Sequence, residues 1–357
     1  MGSSPSPRVS LSGLNIIIPQ SLWVNLEIVL VMFLVLVPSL SMQLRLNHPL
    51  HDVVDKVNAN GGRGYVGVVM AYAAEEIVLQ SSGLFIPNSK HPWVDLSGRR
   101  FNIGTIQDTK VICVMSGQRR LNAGITVQIL LDIFDIRGIV HYGTAGSANN
   151  SLSFGDVSVI KHVAFTGSWN WKKQQEMESE EGELVTLGIG NYNLPMEGEN
   201  MLAKIEFKPE EFYSVGEPMK EVFLFEVDPK WYNLASQLQD LKLDQCVNET
   251  YCLPETPSVV YGLRGSTADI FLDNAAYREF LFKKFEVSTV DEESAAIVLT
   301  AMSTGVPCIV FRGVSDLAGG GSEFSSTSLS SLAATNALHV AVEFISLIGK
   351  RTMSEIK

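Results

Sequence analysis

An α/β fold, with a central mixed but mostly parallel sheet flanked by helices, follows from three observations. Apolar runs of strand length, such as Gly64-Tyr65-Val66-Gly67-Val68-Val69-Met70, are nearly continuous, as in strands buried on both faces. They alternate with segments such as Leu121–Phe134, where Ile125, Ile129 and Ile133 recur at helical spacing. Polar, glycine-bearing segments follow the strands, where open α/β sheets bind ligands.

In chain order, Ile28–Val37 is an unbroken apolar run followed by Pro38, with small residues at Ser39 and Ser41. Residues 1–41 read as a signal peptide cleaved near Met42. The long stretch before the run carries Glu27 and only Arg8 as a base, which leaves a signal anchor or a buried helix open. Residues 42–63 read as a polar linker. A single domain then spans 64–350. Its predicted elements are the strand from Gly64, a helix from Ala73, a strand at Lys110–Met115, the helix Leu121–Phe134, and a strand Ile139–Tyr142 running into a glycine turn. A strand follows Gly155. Residues 169–258 turn charged and proline-bearing, with few periodic runs, and read as a surface elaboration. The α/β pattern returns with a helix over Asp291–Met302, a strand at Cys308–Arg312 and a last helix carrying Ala333, Ala337, Val340, Phe344 and Leu347.

Composition narrows the function. The net charge is -12 over 357 residues with 46% apolar content, so no clustered Lys and Arg stand ready to neutralise a nucleic-acid backbone. A small-molecule partner fits better. Cys113 and Cys308 sit in β-branched runs and read as reduced core residues. Cys246 and Cys252 bracket a short polar segment, and the spacing suits a disulfide better than a zinc site; no metal is expected. Asn248-Glu249-Thr250 within that loop and Asn149-Asn150-Ser151 are N-glycosylation sequons. Leader, disulfide and sequon all require an oxidising lumen, so the chain is expected in the secretory pathway, extracellular or vacuolar.

Four strand-end segments carry candidate chemistry: Ser116-Gly117, Gly143-Thr144-Ala145-Gly146-Ser147, Val290-Asp291-Glu292-Glu293 and Arg312-Gly313-Val314-Ser315-Asp316. With Gly155-Asp156-Val157 and the Glu-Ser-Ala-Ala-Ile that follows Glu292, this series resembles the purine nucleoside phosphorylases and methylthioadenosine/S-adenosylhomocysteine nucleosidases over roughly 64–349. The cysteine loop and Phe165-Thr166-Gly167-Ser168-Trp169 are similar to the plant bark and vegetative storage proteins. The resemblance implies a three-layer nucleoside-phosphorylase-like fold and cleavage of the N-glycosidic bond of purine nucleosides.

Such cleavage leaves charge on the base and an oxocarbenium-like sugar, so a site must protonate the base and stabilise the ribose while an oxygen nucleophile attacks. By resemblance, Asp316 is the acid at N7 with Ser315 beside it, and Glu293 grips the ribose hydroxyls. Glu76 activates water, with Glu75 in reserve. Thr144, Ala145 and Gly146, with Ser116 and Gly117, hold the nucleophile, while Phe165 and Phe271 stack on the base. Glu292 departs from the nucleosidase pattern, which has methionine at that position. Hydrolysis and phosphorolysis both stay open: phosphorylases supply arginines to the anion, one of them where this chain has His141, and Arg119 and Arg120 are the replacements at hand. No cofactor is expected beyond inorganic phosphate as co-substrate if phosphate is the nucleophile. The expected partners are a purine nucleoside and further copies of the chain in a homo-oligomer, with no nucleic acid and no stable membrane span in the mature form. The alternative is a storage glycoprotein of the same fold with weak or lost catalysis.

Overall fold

The structure, a computed structural model, describes residues 47–172, 204–319 and 327–354, with short pieces at 10–11, 14–15, 44 and 186–187. The apolar run Ile28–Val37 and the cleavage segment at Ser39–Met42 lie outside the described residues. The chain divides into two compact units, 1–51 and 52–357. In the first, Ser10–Leu11 pairs antiparallel with Leu14–Asn15. The second carries the sheet.

The stretch expected as a linker is helical over α1 (His51–Gly61), which buries Val54 and Val57 one turn apart. The main sheet is built on β1 (Tyr65–Met70), β2 (Arg99–Ile106), β3 (Thr109–Met115), β4 (Ile136–Ser147), β5 (Val157–Phe165), β6 (Val259–Thr267), β7 (Val287–Asp291) and β8 (Cys308–Leu317). Its order runs from edge strand Leu224–Glu226 through β5, β6, β7, β4, β1, β3 and β2 to Phe85–Pro87. β1 lies parallel to both β3 and β4, and every residue of β1 is buried, which explains its unbroken apolar run.

β8 closes a ring. It runs parallel to β4 and antiparallel to β5, while β5, β6 and β7 are parallel to one another and β7 returns antiparallel to β4. The five strands β4, β8, β5, β6 and β7 therefore form a closed, barrel-like half beside the open half. The turn expected at Gly143–Ser147 is strand: β4 continues to Ser147, exchanging β1 for β7 while β8 stays paired with it from Ile139 onward. The tail of β8 is likewise strand through Ser315 and Asp316.

Helices cover the sheet: α2 (Ala73–Ser81), α3 (Arg120–Ile133), α4 (Ala275–Phe285), α5 (Ser294–Ser303) and α6 (Thr327–Ser354). α6 packs on β4, β8 and α2, burying Ala333, Ala337, Val340 and Phe344. Among the described residues its segment Ser330–Arg351 is long and apolar enough to cross a membrane, yet 72% of that window is buried within the protein, as befits a core helix. Gly313 permits the approach, since a methyl group there would overlap the Ala333 carbonyl. The regular structure in the described parts of 169–258 is mainly β, with one short α-helix at Pro229–Ala235. Trp169–Lys172 pairs with Lys204–Phe207, Glu210–Ser214 with Glu217–Val222, and Leu224–Glu226 extends the main sheet along β5. Cys246 and Cys252 form the expected disulfide, and Cys113 and Cys308 are buried free thiols.

Candidate active site

The site forms around β4 at Gly143–Gly146. Glu75, in the first turn of α2, is buried and points at this strand. Its Oε2 accepts the Ala71 and Tyr72 amides at 2.9 and 3.0 Å, and its Oε1 accepts the Thr144 amide at 2.7 Å and the Thr144 hydroxyl at 3.3 Å. The adjacent Glu76 is half-exposed and makes none of these contacts, so the carboxylate at Thr144 is Glu75, the residue held in reserve. Leu79, the other buried residue of α2, stands one turn on, and that helical spacing carries the signal.

Arg312 is the hub. It is fully buried on β8, donating from Nε to Asp291 Oδ2 and Ser294 Oγ at 3.0 Å each, from Nη1 to the Thr144 carbonyl at 3.2 Å, and from Nη2 to Glu293 Oε2 at 3.2 Å. Sequence reasoning placed Arg312 only at a strand end; a cation next to Cys308-Ile309-Val310-Phe311 was the available signal, because a charge inside a buried strand needs partners. Asp291 closes β7 and also accepts the Thr267 hydroxyl at 2.7 Å and the Glu293 and Ser294 amides. Burial works to raise Asp291, but Arg312 and the donors on it prevail and hold it below the ordinary aspartate value.

Glu293 is buried at the start of α5. Its Oε1 accepts the Arg119 amide at 2.9 Å. Burial pushes its carboxyl up to about 7, against the pull of Arg312. The Arg119 backbone adopts φ 76°, a strained geometry for a residue with a side chain, and thereby aims its N–H at Glu293. Gly117 (φ 81°) and the Ser116 amide, bonded to the Met70 carbonyl at 2.8 Å, hold this loop. The Arg119 side chain reaches Glu292 at 3.7 Å, so Glu292 forms an ion pair at the rim.

Asp316 stands at the other end of the same β4 segment. The Ser315 hydroxyl donates to its Oδ1 at 2.6 Å, and a methyl group on Gly146 would meet its Oδ2 at 3.2 Å. Asp316 borders a cavity of about 420 Å³ whose other walls include Phe154, Leu253, Arg278 and Leu317. Glu293 is not among those walls. The two carboxylates are related only by way of β4: Glu293 through Arg312 to Thr144, and Asp316 against Gly146.

The aromatic candidates stand apart. Phe271 is 82% exposed, on the loop before α4. Phe165 is buried against Phe225, and the Arg120 guanidinium covers its ring at 5.7 Å, so its face is already occupied. The cations proposed for phosphate are also engaged. Arg120 holds Asp269 through its amide at 3.1 Å and Nε at 2.9 Å, while Arg119 and Arg312 face Glu292, Asp291 and Glu293. Burial and the nearby Arg312 hold His141 down to about 3, so its ring is neutral, with Nδ1 against the Val69 carbonyl at 2.9 Å.

The chain is similar to known proteins over most of its length. The family model described as the phosphorylase superfamily matches residues 65–346. Bark storage protein A of Populus deltoides is 40% identical over 314 residues, covering 87% of this chain and 97% of the relative. A 5'-methylthioadenosine/S-adenosylhomocysteine nucleosidase of Halalkalibacterium halodurans is 22% identical over 250 residues, covering 70% and 86%. Among solved structures, the Colwellia psychrerythraea nucleosidase in complex with adenine superposes with TM-score 0.57 at 19% identity, covering 80% of this chain and 96% of that one. Futalosine hydrolase of Helicobacter pylori gives 0.54 at 17% identity, covering 81% and 99%. By its sequence and by its mixed sheet with flanking helices, the chain belongs to the phosphorylase superfamily.

Proposed function

We propose that the protein hydrolyses the N-glycosidic bond of purine nucleosides. The observation that carries this reading is the convergence of Glu75, Arg312 and Glu293 on Thr144 of β4, with Asp316 of the neighbouring β8 paired to Gly146, two residues further along β4. Glu293 takes the ribose hydroxyls and Asp316 the proton delivered to the departing base. Glu75 receives the water proton. Its acceptor sites are filled by three amides and one hydroxyl, and the 3.3 Å bond from Thr144 Oγ1 is the longest, so that is the place a water enters. Water is favoured over phosphate because Arg119, Arg120 and Arg312 are each already set against carboxylates and His141 is neutral.

The storage reading draws on one observation, the 40% identity to the bark storage proteins. Incubation with inosine, adenosine and methylthioadenosine, with and without phosphate, separates the two. Hydrolysis predicts base release that is independent of phosphate and lost in Asp316→Asn. No release under either condition leaves the storage role. The same relatives, the disulfide and the sequons support a secreted or vacuolar glycoprotein. Leu121 and Ile125, exposed one turn apart on α3, support self-association; a single monomeric species in size-exclusion chromatography counts against it.

A further inference from the structure

Arg278 is a buried cation that, among the described residues, no carboxylate pairs. It lies on the inner face of α4, 8% exposed, and its one hydrogen bond runs from Nη1 to the Ala318 carbonyl at 3.2 Å. Nε has no partner, and among the described residues no carboxylate forms an ion pair with it. Enclosing a charge this way is costly, and an acceptor brought by a ligand to the rest of the guanidinium would offset that cost. Arg278 lines the cavity that Asp316 borders, and Ala318, which its Nη1 holds, is two residues beyond Asp316.

The walls define that ligand. Leu152, Phe154, Leu253, Pro254, Val314 and Leu317 are apolar, while Asp316 and Glu255 put carboxyl groups on the same hollow as Arg278. A free anion would satisfy the guanidinium only by facing those carboxylates. A neutral heteroaromatic ring carrying a carbonyl acceptor satisfies all three features: the ring meets the apolar walls, the carbonyl meets Arg278, and a ring nitrogen meets Asp316. An apolar cavity of ~150 Å³ holds a benzene ring, so about 420 Å³ has room for a bicyclic base.

We infer that Arg278 selects 6-oxopurines over 6-aminopurines in this cavity, which rests on the nucleoside reading of the site. A guanidinium has donors and no acceptor, so an exocyclic amino group placed against it sets donor against donor, whereas an oxo group completes the pair.

The test is calorimetric binding of the free bases hypoxanthine and adenine to the full chain and to Arg278→Met, with inosine and adenosine cleavage measured alongside. Hypoxanthine is expected to bind ~10-fold or more tightly than adenine, and the ratio to fall to about one in Arg278→Met. Adenine binding as tightly as hypoxanthine overturns the inference, as does a preference that survives in Arg278→Met or the absence of binding by either base. Should Arg278→Met fail to fold, Arg278→Gln decides, because its amide offers an acceptor as well as donors and is expected to cut the preference, and an unchanged ratio overturns the inference. Base selectivity without cleavage of either nucleoside sinks hydrolysis alone; cleavage without base selectivity sinks the Arg278 assignment alone.

Discussion

Glu75 Oε1 accepts the Thr144 amide at 2.7 Å, joining the first turn of α2 to the middle of β4 across 69 residues of sequence. Because three amides point at this carboxylate, Glu75→Gln turns an amide NH₂ toward at least one of them and is expected to cost about 1–3 kcal/mol of stability. Glu76→Gln, on the half-exposed neighbour, is expected to stay within about 0.5 kcal/mol. Base release should vanish in the first and persist in the second. Urea denaturation with an inosine assay checks both, and the opposite pattern would return the water base to Glu76.

Arg312 neutralises two buried carboxylates at once. Arg312→Met leaves Asp291 and Glu293 facing each other in the interior, and the expected loss is about 3–5 kcal/mol in denaturant midpoint analysis. Arg312→Lys keeps the charge but cannot reach four acceptors on two sides, so it should recover only part of the loss. A neutral effect of the methionine substitution would mean that the two acids hold protons in place of the cation.

The legible parts of the fold are those where one physical requirement dominates. β1 and β8 are enclosed on both faces, so their β-branched runs announce them, and the small and branched residues of α6 keep helical period over several turns. β6 was not legible, because Gly262, Arg264 and Gly265 interrupt its pattern. Gly143 and Gly146 suggest a turn by composition, yet here glycine serves close approach within a strand. The acids Asp316 and Glu293 came from family resemblance, not from periodicity. Arg312 and Arg278 escaped because a lone basic residue gives no hint of whether it is solvated or enclosed; only tertiary contacts reveal that.

Glu293 carries a pH signature. Burial raises its carboxyl from 4.5 to about 7, so between those values the folded protein keeps a proton that the unfolded chain has released. Its contribution to stability therefore falls as pH rises through that window. Glu293→Gln stays neutral throughout and removes the effect. Unfolding free energies measured from pH 4.5 to 7 should show wild type losing ground to the variant as pH increases. A difference that grows in favour of wild type would mean that the Arg312 pair outweighs burial.

The two sequons are not equivalent. Asn248 is exposed in the disulfide hairpin, and its Oδ1 accepts the Thr250 amide and hydroxyl at 3.0 and 2.9 Å, which leaves its amide nitrogen free toward solvent. Asn149 is half-buried, and its Nδ2 lies 3.5 Å from Ser288 Oγ. Protein passed through a secretory pathway is expected to carry its glycan at Asn248. Glycosidase digestion should shift wild type and Asn149→Gln in a gel but not Asn248→Gln, and a shift that survives in Asn248→Gln would reverse the assignment.

Gly143 is where the site tolerates no side chain. A methyl group there would overlap both Arg312 Nη1 and Glu75 Oε1, and neither can withdraw, since the first is held by the Thr144 carbonyl and the second by the Thr144 amide. The backbone itself is not the obstacle, because Gly143 has no positive φ. Gly143→Ala is therefore expected to cost about 1–3 kcal/mol through overpacking and to abolish base release by parting Glu75 from Thr144. Gly124 on α3 gives the contrast: a methyl there meets only Thr300 Oγ1, at 3.8 Å, and its φ is ordinary. Gly124→Ala should raise stability by about 0.5–1 kcal/mol with activity intact. Thermal and urea unfolding of both variants checks the pair, and an active, stable Gly143→Ala would show that Glu75 and Arg312 need not meet over β4.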